Sequence, residues 1–146
     1  MKRNYCLDTN IILLLLRGKE LGKLIDQMFG LSGAPYLHTI SIVTHGELKV
    51  LADRNNWAGA RKSALESALV EFVTVDVAGS QLVDAYRRVE QANSIHSNGA
   101  RVMGNNDVWI AATAIVTGLP LLTTDKDFGH LNGSLLEVHY VDPQSR

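Results

Sequence analysis

The chain has 146 residues, 46% hydrophobic and 20% charged, which suits one globular domain around a single core. Lys and Arg number 14 against 15 Asp and Glu, a net charge of −1, so there is no global nucleic-acid signature and any such binding needs a local cationic patch. The one cysteine, Cys6, excludes an internal disulfide; its apolar surroundings predict a buried thiol, in keeping with a cytoplasmic location.

The first element is a short strand, "NYCL", residues 4–7. Asp8 follows it directly. "TNIILLLLRG" then reads as a helix, with Thr9 able to cap it and Gly18 able to end it. Its "IILLLL" run is six residues long, far short of the ~20 that cross a bilayer, and no cleavage signal follows. No membrane association is therefore expected. Residues 19–31 form a second helix, closed by "GLSGAP", and "YLHTIS" a second strand. "SIVTHGELKVLADRNN" is helical with Ser41 as N-cap, and "AGARKSALESALVEF" is the next helix. "VTVDV" is strand-like, with Asp76 expected to cap the long amphipathic helix over residues 79–95. A Gly/Asn-rich loop, "SNGARVMGNN", leads to the helix "DVWIAATAIVTG", which ends at Gly118 with Pro120 beyond it. "PLLTTD" and "EVHYVD" are the last strands. Short apolar strands alternating with helices predict βαβ units and a mainly parallel sheet.

Ligands of such sheets bind beyond the carboxyl ends of the strands. Asp8 and Asp125 each follow a strand directly, so they share a rim if their strands are neighbours. Glu47 has Val43, Val50 and Leu51 at helical spacing, which places it in an apolar stripe. Gly46 beside it is expected to admit a close backbone. Asp107 faces Ile110, Ala111 and Ala114 on the core side of its helix start. Singly, each acid has an ordinary use: a cap for Asp8 or Asp107, a turn for Asp125, an Arg partner for Glu47. Together they predict one acidic cluster. Clustered carboxylates raise one another's pKa, and a divalent cation relieves the repulsion. An all-carboxylate set points to a hard ion, Mg²⁺ or Mn²⁺, and so to metal-dependent phosphodiester hydrolysis.

These segments resemble a known pattern. "LDTNIILLLLRG", "TISIVTHGELKVL" and "NNDVWIAATAIVTGLPLLTTDKDF" are similar, in order and spacing, to the motifs of PIN-domain nucleases. The compact length most resembles the VapC-like toxins of toxin–antitoxin pairs. The resemblance implies a three-layer α/β/α sandwich and an Mg²⁺- or Mn²⁺-dependent endoribonuclease acting on structured RNA of the tRNA or rRNA class. It also implies a homodimer blocked by an antitoxin. By residue, it implies that Asp8, Glu47, Asp107 and Asp125 bind metal and catalyse, and that Thr9, Asn10 and Thr123 are polar helpers. The chain departs from the pattern at Asp125, where many of these toxins have Asn, and at His45, where an apolar residue is commoner. Asp127 is read as a turn or capping acid, with Phe128 packing inward.

Arg17, Lys19 and Arg101 are the favoured RNA-binding cations, because their segments adjoin the acidic rim. The remaining histidines show no ligand spacing. Trp57 and Trp109, both in helical stretches, are assigned to packing. Two other functions fit the pattern less well. An aspartyl-phosphate phosphatase wants a second acid where Asn10 stands, and a receiver domain wants an acidic pair and a late Lys. A non-catalytic PIN-like module that binds RNA or protein would not need all four acids.

Overall fold

The computed structural model describes residues 3–32, 37–95 and 103–144. Arg101 and most of the Gly/Asn-rich loop lie outside those residues. Five parallel strands form one sheet: β1 (Cys6–Leu7), β2 (Thr39–Ser41), β3 (Val73–Val75), β4 (Leu121–Thr123) and β5 (Val138–Tyr140). Their order is β3-β2-β1-β4-β5. The chain thus winds outward from β1 to one edge, then returns to the other side of β1 and winds outward again. The reversal falls between β1 and β4, the place where open α/β sheets leave a crevice.

Alternation along the strands divides the apolar residues between the sheet's two faces. Leu7, Ile40 and Leu122 enter one core with Ile11, Ile12, Ile25, Leu48 and Leu65. These come from α1 (Thr9–Arg17), α2 (Glu20–Phe29), α3 (Ile42–Arg54) and α4 (Gly59–Glu71). Cys6 and Leu121 enter the other core with Val89, Val108, Ile110 and Phe128. These side chains come largely from α5 (Ser80–Ser94) and α6 (Asn105–Thr117). The result is the expected three-layer sandwich. The apolar "IILLLL" run is a core helix, and among the described residues no helix is long and apolar enough to cross a membrane.

Cys6 is fully buried, and burial followed by the nearby Asp8 charge pushes its thiol up to about 12. Gly18, Gly30 and Gly118 end their helices in the left-handed conformation that glycine adopts without strain. Ser41 caps α3 by accepting from Val43 N.

Several local expectations change. Asp8, not Thr9, is the N-cap of α1. Gly79 occupies the N-cap of α5 instead, at a positive φ of 88° that glycine adopts without strain, while Asp76, three residues earlier, accepts from Val77 N. The segment after β4 is a 3-10 turn, Lys126–Leu131, with Asp125 as its cap, Asp127 in its first turn as one of its two readings had it, and Phe128 fully buried as expected. Gly46 has nothing within 4 Å of where a Cβ would stand, so no backbone approaches it. The close approach occurs at Gly22 instead, where a Cβ would lie 2.2 Å from the Leu14 carbonyl oxygen. Trp57 lies in the turn between α3 and α4, packed against the first core, while Trp109 on α6 packs against Tyr86 with ring centroids 4.2 Å apart and planes tilted by 39°.

Candidate active site

Asp8 leaves the end of β1 and Asp125 lies two residues beyond the end of β4, and these strands pair in parallel with Leu7 opposite Leu122. The two acids therefore share one rim at the reversal of strand order. Glu47 comes to that rim from α3, and Asp107 from the first turn of α6. All four acids line one cleft of about 670 Å³, together with Thr9 and Asn10.

The apolar residues around Glu47 have a different role from the one their spacing predicts. Val43, Val50 and Leu51 line the same cleft, and Val50 is 46% exposed. The core face of α3 is instead Thr44, Leu48 and Ala52. The stripe holding Glu47 is thus the wall of the cleft.

Hydroxyl groups connect the acids. Thr123 donates its hydroxyl to Asp8 Oδ2 at 2.7 Å and accepts from the backbone N–H of Asp125 at 2.9 Å. The Thr9 N–H donates to Asp8 Oδ1 at 2.8 Å. The Thr9 hydroxyl donates to Glu47 Oε1 at 2.7 Å and meets the Thr44 hydroxyl at 3.1 Å. The Asp125 carboxylate accepts from Asp127 N at 2.8 Å. Three of the four acids are thereby fixed to one another through two threonines. Asp107 stands across the cleft at the positive end of α6, where a helix favours negative charge.

The acids repel one another. Asp8 is raised to about 6, first by burial and then, against hydrogen bonds from Thr123 and Thr9, by the charges of Asp125 and Glu47. Asp107 is raised to about 7, again first by burial and then by Asp8, Asp125, Glu47 and Asp127. Carboxylates that feel one another in this way are a place where positive charge is wanted.

Among the described residues, no three His, Cys, Asp or Glu side chains form a ready-made metal-ligating group. The donor chemistry nevertheless fits a hydrated hard cation. Every acidic donor is a carboxylate oxygen, the acids line one open cleft, and Mg²⁺ keeps several waters and takes only one or two carboxylates directly.

Asn10 is exposed at the mouth of the cleft. Arg17 lies in an adjoining groove that shares Asn10 and Asp125 with the cleft. Lys19 is the N-cap of α2 and lines neither hollow. Arg54 and Asn106 also line the cleft wall, and of the two Asn106 escapes a sequence reading. Arg54, a basic residue that a local phosphate patch could use, lies seven residues beyond Glu47 on α3, two helical turns along one face. His45 is half-buried, and its Nδ1 has no hydrogen-bond partner among the described residues. Elsewhere, His38 Nδ1 accepts from Tyr5 N at 3.1 Å, and His130 pairs with Asn93 at 2.6 Å.

Residues 5–133 match the PIN domain family. The chain is 34% identical over 137 residues to Ribonuclease VapC1 of Rickettsia felis, covering 90% of this chain and 92% of that protein. Its fold matches VapBC2 from Rickettsia felis, solved bound to a DNA fragment from their promoter. The TM-score is 0.74 at 19% identity, over 96% of this chain and 100% of that one. VapBC-1 from nontypeable Haemophilus influenzae matches with a TM-score of 0.70 at 25% identity, over 94% of this chain and 98% of that one.

Proposed function

The chain belongs to the PIN-domain family, alongside the VapC ribonucleases, and from that premise we propose that it is an endoribonuclease toxin dependent on Mg²⁺ or Mn²⁺. One observation carries the proposal. Asp8 and Asp125 follow neighbouring parallel strands at the reversal of strand order, and Glu47 and Asp107 line the same cleft.

Asp8, Glu47, Asp107 and Asp125 would hold the cation. When bound, such a cation supplies Lewis acidity toward a phosphate oxygen and lowers the pKa of water. The chain's own residues do the positioning. Thr9 and Thr123 orient the Asp8 and Glu47 carboxylates with hydroxyl bonds of 2.7 Å. Buried Leu7 and Leu122 hold the ends of β1 and β4 rigid beneath them. Asn10, exposed at the mouth, is placed to orient a water or a substrate phosphate.

The substrate class we propose is structured RNA of the tRNA or rRNA type. The partners are an antitoxin that blocks the cleft and a second copy of the chain. Support for the antitoxin comes from the likeness, at 27% identity, to VapBC-5 from Mycobacterium tuberculosis, a member of the VapBC family of toxin-antitoxin systems.

The test incubates the protein with total RNA in Mg²⁺, Mn²⁺ or EDTA, beside Asp8→Asn and Asp107→Asn. Discrete fragments are expected only with metal and with both acids intact. Cleavage that persists in EDTA would end the metal assignment, and cleavage by both variants would end the site assignment.

A further inference from the structure

The cleft does not end at the carboxylates. A groove of about 510 Å³ adjoins it, sharing Asn10 and Asp125. Its floor is apolar, formed by Leu13, Leu14 and Pro143. Arg17, from the last turn of α1, and Lys126, at the start of the 3-10 turn, line it and are exposed; among the described residues neither is in an ion pair. Tyr140, the last residue of β5, lines it too and is 39% exposed. The register of β4 and β5 puts Tyr140 opposite Thr123, the residue whose hydroxyl holds Asp8. The groove therefore begins at Asp125 and extends to the strand next to β4.

We propose that this groove binds an unpaired stretch of the RNA flanking the cleaved bond, with a base stacked on Tyr140 and adjoining phosphates held by Arg17 and Lys126. The proposal rests on the ribonuclease reading and adds a substrate subsite to it. An apolar floor with a cationic rim and an exposed ring matches a single strand, whose bases are free to lie on apolar surface while its phosphates reach the rim. A duplex hides its base faces and would leave the floor and the ring unused. The charge pattern agrees. Arg54 lines the cleft from α3, so a strand crossing the acids meets a cation on the α3 side and two in the groove. A near-neutral chain must bind phosphates through such local cations.

The test uses the full chain carrying Asp107→Asn, in Mg²⁺, and a fluorescent unpaired RNA of about 12 nucleotides read by anisotropy. Adding Tyr140→Leu is expected to weaken binding about tenfold, while Tyr140→Phe retains it. Adding Arg17→Gln with Lys126→Gln is expected to lower the slope of log affinity against log salt by about 1–2. Both changes should weaken the unpaired RNA more than a duplex of equal length. Affinity and salt slope unchanged in both variants would overturn the proposal and leave the groove to a protein partner. Cleavage of total RNA by the unmutated chain is measured in parallel. Its absence sinks the ribonuclease reading, whereas cleavage with unchanged variant binding sinks the groove alone.

Discussion

Thr123 donates its hydroxyl to Asp8 Oδ2 across 2.7 Å, joining the last residue of β4 to the acid that ends β1. Both residues are buried, and this bond lowers the Asp8 pKa against the larger effect of burial. Thr123→Val keeps the shape and removes the donor. In the metal-free chain it should raise the Asp8 pKa further. It should also cost about 1–3 kcal/mol of stability, because a buried acceptor loses its partner. A carboxyl titration in EDTA and thermal unfolding measure the two effects separately.

Thr9 plays the matching part for Glu47, at 2.7 Å. Thr9→Val should lower kcat by about tenfold or more through a misplaced carboxylate, with KM for RNA little changed. Thr9→Ser keeps the hydroxyl and should retain most of the rate. Equal losses in Val and Ser variants would show that packing of the methyl group matters more than the bond.

Stability should depend on pH in the direction set by raised carboxyl groups. Asp8 ionises near the ordinary 3.8 in the unfolded chain but at about 6 in the fold. Between those values the folded chain holds the extra proton, so stability falls as pH rises through the window and the full penalty is present above it. For buried Asp8 the penalty is about 2–3 kcal/mol. Asp107, raised to about 7, adds a smaller share because it is only half-buried and screened by solvent. Asp8→Asn removes its share of the dependence. In EDTA the variant should gain on the parent chain as pH rises from about 4 to about 7, read from denaturant midpoints. Saturating Mg²⁺ should close the gap at neutral pH by stabilising the parent, by about 2.7 kcal/mol at 100 times Kd. A gap independent of pH would contradict the raised pKa.

Two glycines should respond oppositely to alanine. A Cβ at Gly22 would meet the Leu14 carbonyl oxygen at 2.2 Å, forcing α1 and α2 apart. Gly22→Ala should cost about 1–3 kcal/mol. Gly46 is helical with open space around it, so Gly46→Ala should gain up to about 1 kcal/mol. Thermal melts of the two variants decide the matter, and a stable Gly22→Ala protein would contradict the close helix contact.

The residues differ in how far they were legible beforehand. Strand-end acids and helix ends are local features, so Asp8, Asp125, Gly18 and Gly118 could be read from a few neighbours. Gly46 and the apolar residues around Glu47 misled, because hydrophobic spacing does not distinguish a core face from the wall of a cleft. The cap of α5 was missed because Asp suits a cap, a turn or a ligand equally well.

The amino-acid order alone determined the alternation of short strands and helices and the placement of Asp8 at the end of β1, since both follow from hydrophobic period and turn chemistry over short stretches. Only the tertiary structure decided that β1 pairs with β4, that α3 and α6 bring Glu47 and Asp107 to that junction, and that Tyr140 comes to rest beside Thr123. Pairing between strands more than a hundred residues apart is a competition among whole packings of the chain, and no local run of residues contains its outcome.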